Sequence, residues 1–282
     1  MDYKVILVTP AGRQYTLSIL LRYLLKQRES FDEWHLWANT RSDSDLDYIK
    51  SLEDKYDFIK VIHRESIPNR FKRTNTGICY FWDYVNDEDS IYVRFDDDIV
   101  YMEGDYIDTL VNFRIEHPQY SYVSGNVVNN GICDHINYRM GTLKSNHFVH
   151  YACYERTHQN SPYVLGLHDQ FIDRMESGTT QEMKSFDRWE LSQYERIPIN
   201  SVCWFGRDWA DHGVSLLTGK LDNSKEESYF TTVFPRSLRK LAAICGQALC
   251  THLSYKAQHK RMSVELDGLR KKYSNLAGPF PE

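Results

Sequence analysis

The sequence predicts an α/β protein: a mostly parallel, Rossmann-like sheet flanked by helices, in a single large domain. Short apolar strand patterns alternate with amphipathic helix patterns over about the first 130 residues, at the spacing typical of βαβ units. The chain has 282 residues, of which 41% are hydrophobic and 26% charged. It is therefore long and apolar enough to bury one sizeable core.

The elements of the first half follow from apolar runs and from apolar side chains that recur at helical spacing. A first strand over 4–10 precedes a helix that carries Leu17, Leu20, Leu21 and Leu24 on one face. Further strands are predicted over 33–39, 58–62, 90–95 and 120–128, and further helices over 43–56, 77–85 and 107–115. Pro118 ends the last of these helices.

The pattern is weaker beyond Asn129, where histidines and tyrosines are frequent. Helices are predicted over 167–175 and 186–195, strands over 200–205 and 248–253, and a last helix after Tyr255. The weaker pattern and the frequent histidines and tyrosines indicate that this half surrounds a ligand.

Charge and cysteine content exclude several classes of protein. The 34 basic and 39 acidic side chains give a net charge of −5, which argues against nucleic acid as a partner. The apolar run over 17–25 contains Arg22 and is too short to span a bilayer, and the run over 5–8 is too short for a signal peptide. Six scattered cysteines without a Cys-x-x-Cys pair favour a cytoplasmic location.

Three consecutive aspartates, Asp96, Asp97 and Asp98, follow the fourth predicted strand. Adjacent carboxylates repel one another unless a cation lies among them. In an extended chain Asp96 and Asp98 share one face with Arg94, whereas Asp97 lies on the other. Carboxylate oxygens suit Mg²⁺ or Mn²⁺, so Asp96 and Asp98 are the predicted metal ligands. The alternative is an acidic loop that caps the next helix.

Polar residues at other strand ends are predicted to lie near this triplet, because ligands bind at the carboxyl ends of parallel strands. The residues predicted to bind a cofactor or donor there are Thr9, Pro10, Ala11, Arg13, Asn39, Thr40, Arg73, Asp96 and Asp97. Arg13 and Arg73 supply positive charge for a phosphate or a base.

Three segments together resemble the nucleotide-sugar-dependent glycosyltransferases of the A-type fold, in a bacterial and large-DNA-virus branch. They are Thr9-Pro-Ala-Gly-Arg13, Trp37-Ala-Asn-Thr40 and Tyr92-Val-Arg-Phe-Asp-Asp-Asp98. The resemblance spans most of the chain and is strongest up to about residue 130. It implies metal-dependent transfer of a sugar from a nucleoside-diphosphate sugar to a carbohydrate or lipid-linked acceptor. Residues 1–130 would bind the donor and residues 131–282 the acceptor.

The same resemblance implies roles for single residues. Asp98 would coordinate the metal that holds the diphosphate, and Asp96 would contact ribose or the donor sugar. The family commonly supplies a late histidine as a further ligand, and His252 on the predicted strand 248–253 is the candidate. The alternatives are a histidine bonded to backbone and, less favoured by its spacing, a zinc site with Cys245 and Cys250.

An inverting transfer requires a general base, whereas a retaining one requires none. The candidate bases are Glu190, Asp208 and Glu227. The segment over 254–273 carries six basic and two acidic side chains, which makes this C-terminal helix a candidate for peripheral membrane contact or an ordinary solvated face.

Two other functions remain open from the sequence. A sugar-phosphate nucleotidyltransferase also uses metal-binding aspartates, but it normally has a glycine-rich phosphate loop after the first strand, where this chain has only Gly12. A carbohydrate-binding protein of the same fold without turnover is the non-enzymatic alternative.

Overall fold

The computed structural model describes residues 3–63, 75–146, 148–153, 161–210, 212 and 225–281. Within these ranges nine strands form one sheet. The strands are β1 (Lys4–Ala11), β2 (Glu33–Ala38), β3 (Ile59–Ile62), β4 (Ser90–Phe95), β5 (Ile99–Met102), β6 (Val123–Val128), β7 (Arg188–Glu190), β8 (Ser201–Phe205) and β9 (Ala243–His252). Helices flank this sheet in one α/β domain, which confirms the predicted fold class.

The helices in the described ranges vary widely in length. The α-helices are α1 (Gln14–Lys26), α2 (Asp43–Lys55), α3 (Tyr106–Glu116), α4 (Gly131–Arg139), α5 (Ser161–Ser177), α6 (Gly206–Trp209), α7 (Lys225–Ser228), α8 (Phe234–Leu238), α9 (Lys256–Arg261) and α10 (Ser263–Ala277). A π-helical turn over Tyr229–Val233 joins α7 to α8, and 3₁₀ turns cover Arg28–Ser30, Asn75–Tyr84 and Thr180–Met183.

The sheet is mixed, and six of the nine described strands run in one direction. Its order is β3-β2-β1-β4-β8-β6-β9-β5, with β7 also paired to β9. The first four strands are parallel, β8 is antiparallel to both β4 and β6, and β9 is parallel to β6. Two reversals therefore restore the original direction, and the carboxyl end of β9 lies at the same edge as the carboxyl end of β4.

Buried tryptophan side chains are part of the core. Trp34, Trp37, Trp82, Trp204 and Trp209 are all at most 1% exposed. The rings of Trp82 and Trp209 lie 4.8 Å apart, and Trp82 also packs against Trp37 and Trp204. Such contacts bury large apolar areas and stabilise the sheet and the helices that cover it.

Two predicted helices are wrong in type. The segment predicted as a helix over 77–85 is a 3₁₀ helix, and the segment predicted over 186–195 contains β7 instead. The β7 strand pairs antiparallel with the start of β9, so its backbone groups are bonded across the sheet. Gly246 allows this approach, because a Cβ atom there would lie 1.9 Å from the Phe186 carbonyl oxygen.

Two further elements were not predicted. The four apolar residues of β5 are a strand because they pair with the end of β9, a partner about 150 residues later in the chain. Helix α4 has only a weak amphipathic pattern, and its start is set by the side chain of Asn130, which accepts hydrogen bonds from the Ile132 and Cys133 amides.

Among the described helices, we find none with the length and apolar content that crossing a bilayer requires.

A buried histidine ties the last helix to the sheet and makes stability depend on pH. His168 on α5 is fully buried, with Nε2 2.9 Å from the Leu253 carbonyl oxygen and Nδ1 2.8 Å from the Tyr273 hydroxyl. Since a carbonyl only accepts, Nε2 carries the proton and Nδ1 accepts from Tyr273. Burial lowers the pKa of His168 to about 4 from the ordinary 6.5.

We expect acid to destabilise the fold through His168. The unfolded chain takes up a proton at this side chain below about pH 6.5, whereas the folded chain does so only near pH 4. The contribution of His168 to the free energy of unfolding is therefore complete well above pH 6.5. It is lost as the pH falls, by about 2 kcal/mol at pH 5. Urea unfolding of the wild type and of His168→Gln measures this, and the variant is expected to show a smaller loss. Parallel curves for the two proteins would contradict it.

Candidate metal centre

A cleft of about 570 Å³ opens at the edge of the sheet where β1, β2, β4 and β9 end. Charged and polar residues from all four strand ends and from α9 face it. The lining residues include Pro10, Ala11, Gly12, Arg13, Asn39, Thr40, Arg41, Ser42, Asp45, Ile78, Arg94, Asp96, Asp97, Asp98, His252, Ser254, Tyr255, Lys256 and His259. The cleft therefore lies where ligands bind in open α/β sheets.

Asp96, Asp98 and His252 converge in this cleft. One ligand atom from each lies within 4.8 Å of the other two. His252 Nε2 is 3.2 Å from Asp98 Oδ1 and 3.9 Å from Asp96 Oδ2. The structure thus brings the C-terminal histidine to the two aspartates, because β9 ends beside the turn that follows β4.

Asp98 is buried among opposite charges. Its Oδ2 atom accepts a hydrogen bond from Arg13 Nη1 at 2.8 Å. Burial alone would raise the pKa of Asp98, but Arg13 and His252 outweigh burial and hold that pKa well below its ordinary range. Burial alone would lower the pKa of His252, and the two aspartates raise it instead. Asp98 is therefore ionised and available as an anionic ligand.

Both carboxylate oxygens of Asp96 are held by neighbours. Arg94 Nη1 donates to Oδ1 at 2.9 Å, and Asn200 Nδ2 donates to Oδ2 at 2.8 Å. Tyr255 supports Asn200 in turn, since its hydroxyl donates to Asn200 Oδ1 at 3.0 Å. These contacts orient the Asp96 carboxylate toward His252 before any ligand binds.

Asp97 has different partners from its neighbours. The Gly12 amide donates to Oδ2 at 2.8 Å, and Arg13 Nε donates to Oδ1 at 2.8 Å. Burial would lower the pKa of Arg13, but Asp97 and Asp98 raise it above its ordinary value. Asp97 thus holds Arg13 and the β1–α1 turn against the triplet, while Asp96 and Asp98 face His252.

The three residues fit a divalent cation. Oδ1 of Asp98 is buried 3.2 Å from His252 Nε2, and the two form an ion pair when the imidazole is protonated. A cation bound between them would take the place of that proton, with the carboxylate and the neutral imidazole as ligands. Two carboxylates and one imidazole form a donor set that suits Mn²⁺ or Mg²⁺. Cys250 is not part of this group, because its thiol contacts the Tyr106 hydroxyl instead.

The turn after His252 is fixed by a pair of buried amides. Asn129, in the left-handed region at φ 63°, donates from Nδ2 to the His252 and Leu253 carbonyl oxygens. Asn129 and Gln258 also exchange hydrogen bonds between their side chains at 3.2 Å in both directions. The backbone that carries His252 is therefore anchored to the end of β6.

The predicted donor-binding residues are placed differently from one another. Pro10, Ala11, Arg13, Asn39, Thr40, Asp96 and Asp97 line the cleft. Thr9 is fully buried and is not among the lining residues, and its hydroxyl accepts a hydrogen bond from Trp34 Nε1 at 3.0 Å. Arg73 lies outside the described residues.

None of the three predicted bases is among the lining residues. Glu190 lies on β7, where Tyr120 donates to its carboxylate at 2.7 Å. Asp208 pairs with Arg114 and Lys240, and Glu227 accepts from Arg196 Nε at 2.8 Å. Their carboxylates are thus engaged in contacts with other side chains.

Several residues of the site carry no sequence signal that singles them out. His259 Nε2 lies 2.9 Å from the Ser254 hydroxyl and 3.3 Å from Arg13 Nη1, and burial and Arg13 both lower the pKa of this histidine. Its ring is therefore neutral and accepts from Ser254. Glu226, next to the predicted Glu227, contacts Arg94, and burial raises its pKa while Arg94 opposes that shift. Arg94 alone had a signal, since it lies two residues before Asp96.

Comparisons with known proteins add little to this geometry. No protein-family model matches the chain, and no curated protein matches it. Among solved structures, the crystal structure of a mycobacterial protein matches over 100% of this chain and 76% of its own, with a TM-score of 0.47 and 12% sequence identity.

Proposed function

We propose that this protein is a metal-dependent glycosyltransferase that takes its sugar from a nucleoside-diphosphate sugar. The observation that carries the proposal is the Asp96, Asp98 and His252 cluster at the carboxyl ends of β4 and β9, inside a cleft of about 570 Å³. Its support from sequence is the resemblance of the segments around Arg13, Asn39 and the aspartate triplet to that class of enzyme.

The cleft has the charges that such a donor requires. Asp96, Asp98 and His252 would hold a divalent cation, which binds diphosphate oxygens and stabilises the charge of a departing nucleoside diphosphate. Arg13 and Lys256 line the same cleft and add positive charge for phosphate oxygens. The acceptor is proposed to be a carbohydrate or a lipid-linked glycan.

We expect nucleoside diphosphates to bind tightly only with a metal, and at least one nucleotide sugar to be hydrolysed slowly. The first measurement is isothermal titration of a panel of nucleoside diphosphates with and without Mn²⁺. The second is a screen of nucleotide sugars in Mn²⁺ for release of nucleoside diphosphate. The control is the His252→Ala variant, which removes one side chain of the cluster.

Three outcomes separate the candidate functions. Release of nucleoside diphosphate supports a glycosyltransferase, whereas formation or consumption of pyrophosphate supports a nucleotidyltransferase. Sugar binding without metal-dependent nucleotide binding or turnover supports a carbohydrate-binding protein. Either of the last two results would contradict the proposal.

A further inference from the structure

A half-buried carboxylate that is not among the cleft-lining residues, Glu226, is linked to the metal centre through Arg94. The Arg94 side chain is only 4% exposed, and its Nη2 atom lies 3.7 Å from Glu226 Oε1. Its Nη1 atom donates to Asp96 Oδ1 at 2.9 Å. Trp82 Nε1 donates to the same Oε1 atom at 2.8 Å and fixes that carboxylate in place. Asp96, Arg94 and Glu226 thus form a continuous chain of charges.

This chain of charges is important because the negative charge of Asp96 has two possible partners. It is the ion-pair partner of Arg94, and it is also a candidate ligand for a divalent cation. A cation bound to Asp96 would lie near the Arg94 guanidinium, and two positive charges repel strongly where burial limits screening. A second carboxylate on Arg94 reduces this repulsion, and Glu226 is placed to supply it.

The charge balance of the whole cluster agrees with this role. The ion pairs form two groups, Arg13 with Asp97 and Asp98 and Arg94 with Asp96 and Glu226, which meet at His252. With its carboxylates ionised each group has a formal charge of −1, so the total is −2 once a bound cation takes the imidazole as a neutral ligand. A divalent cation neutralises −2 completely. Without the charge of Glu226 the cluster would carry only −1.

We propose that Glu226 is a positioning residue of the metal centre: it holds Arg94 and offsets its charge, so that Arg94 competes less with a divalent cation for the Asp96 carboxylate. This inference rests on the proposed metal-dependent function and extends it to a side chain that does not contact the metal. It also gives a role to a half-buried acid that accepts from Trp82 and does not line the cleft.

The test is isothermal titration calorimetry of Mn²⁺ alone into the full-length protein. Glu226→Gln removes the charge but keeps the size and an oxygen acceptor for Trp82, and it is expected to weaken Mn²⁺ binding about 10-fold. Glu226→Asp keeps the charge and is expected to lose no more than about 3-fold. The matched control is Glu195→Gln, since Glu195 also accepts from an aromatic residue, the Tyr151 hydroxyl, and is not paired with Arg94. Its Mn²⁺ affinity is expected to equal that of the wild type.

Two results would overturn the inference. One is an unchanged Mn²⁺ affinity in Glu226→Gln, and the other is an equal loss in Glu226→Gln and Glu226→Asp, because the charge would then not be the cause. If Glu226→Gln fails to fold by circular dichroism, Trp82→Phe replaces it, since that change removes the hydrogen bond that holds Glu226. About a 3-fold loss is then expected, and no loss overturns the inference.

The same titration separates this inference from the proposed function. A wild-type protein that binds no Mn²⁺ would contradict the metal centre itself, and both proposals with it. A wild type that binds Mn²⁺, together with a Glu226→Gln variant of equal affinity, would contradict only the role of Glu226.

Discussion

Replacing Asp98 by asparagine is expected to abolish metal-dependent binding of nucleoside diphosphates, with a loss of about 100-fold or more. Asp98 is fully buried, and its Oδ1 atom lies 3.2 Å from His252 Nε2. Asparagine has the same shape but offers a neutral amide to the cation, so the strongest anionic ligand is lost. Isothermal titration of a nucleoside diphosphate in Mn²⁺ measures the effect.

Two other variants test whether the position of Asp98 is responsible. Asp169→Asn removes an aspartate of the surface, 3.2 Å from Lys272, and is expected to leave nucleotide affinity as it was. Asp97→Asn is expected to weaken metal binding less than Asp98→Asn, because the Asp97 oxygens already accept from Gly12 and Arg13. Undiminished nucleotide affinity in Asp98→Asn, or a larger loss in Asp97→Asn, would refute this account of the triplet.

Replacing Asp208 by asparagine is expected to cost about 3 kcal/mol of folding stability, since it would leave a buried guanidinium without its charged partner. The Arg114 side chain is fully buried above the Phe205 ring, and its Nη2 atom lies 2.9 Å from Asp208 Oδ2. Burial lowers the pKa of Arg114 to about 10, which shows how costly its charge is in this environment. Urea unfolding at neutral pH measures the loss.

Lys240→Gln is the matched control for Asp208. Lys240 lies 3.1 Å from the same carboxylate but is 32% exposed, so its removal is expected to cost at most about 1 kcal/mol. A general base would behave differently, because its loss reduces turnover without unfolding the protein. An Asp208→Asn variant of wild-type stability that has lost turnover would restore Asp208 as the base and contradict the structural role.

The sequence allowed good prediction of elements whose signal is local. The four leucines on one face of α1 and the apolar runs of β1, β2 and β4 recur at helical or strand spacing, and the structure buries them as expected. Local spacing failed for β7 and β5. Each is a strand because it pairs with β9. The local sequence of so short a segment does not indicate a partner that is distant in the chain.

The candidate site divides in the same way. By itself, the sequence determined that three carboxylates follow a buried strand and that Asp97 differs from its two neighbours, because strand termination and side-chain alternation are local properties. Only the tertiary structure decided which partner each carboxylate has. Asn200 donates to Asp96 across 104 residues, and Arg13 donates to Asp97 across 84. Glu226 lies on α7 and pairs with Arg94 of β4, although the two elements are far apart in the sequence. The physical reason is that charge pairing and burial depend on distances in space. The strand order, with β8 between β4 and β6, sets those distances, and spacing along the chain does not encode them.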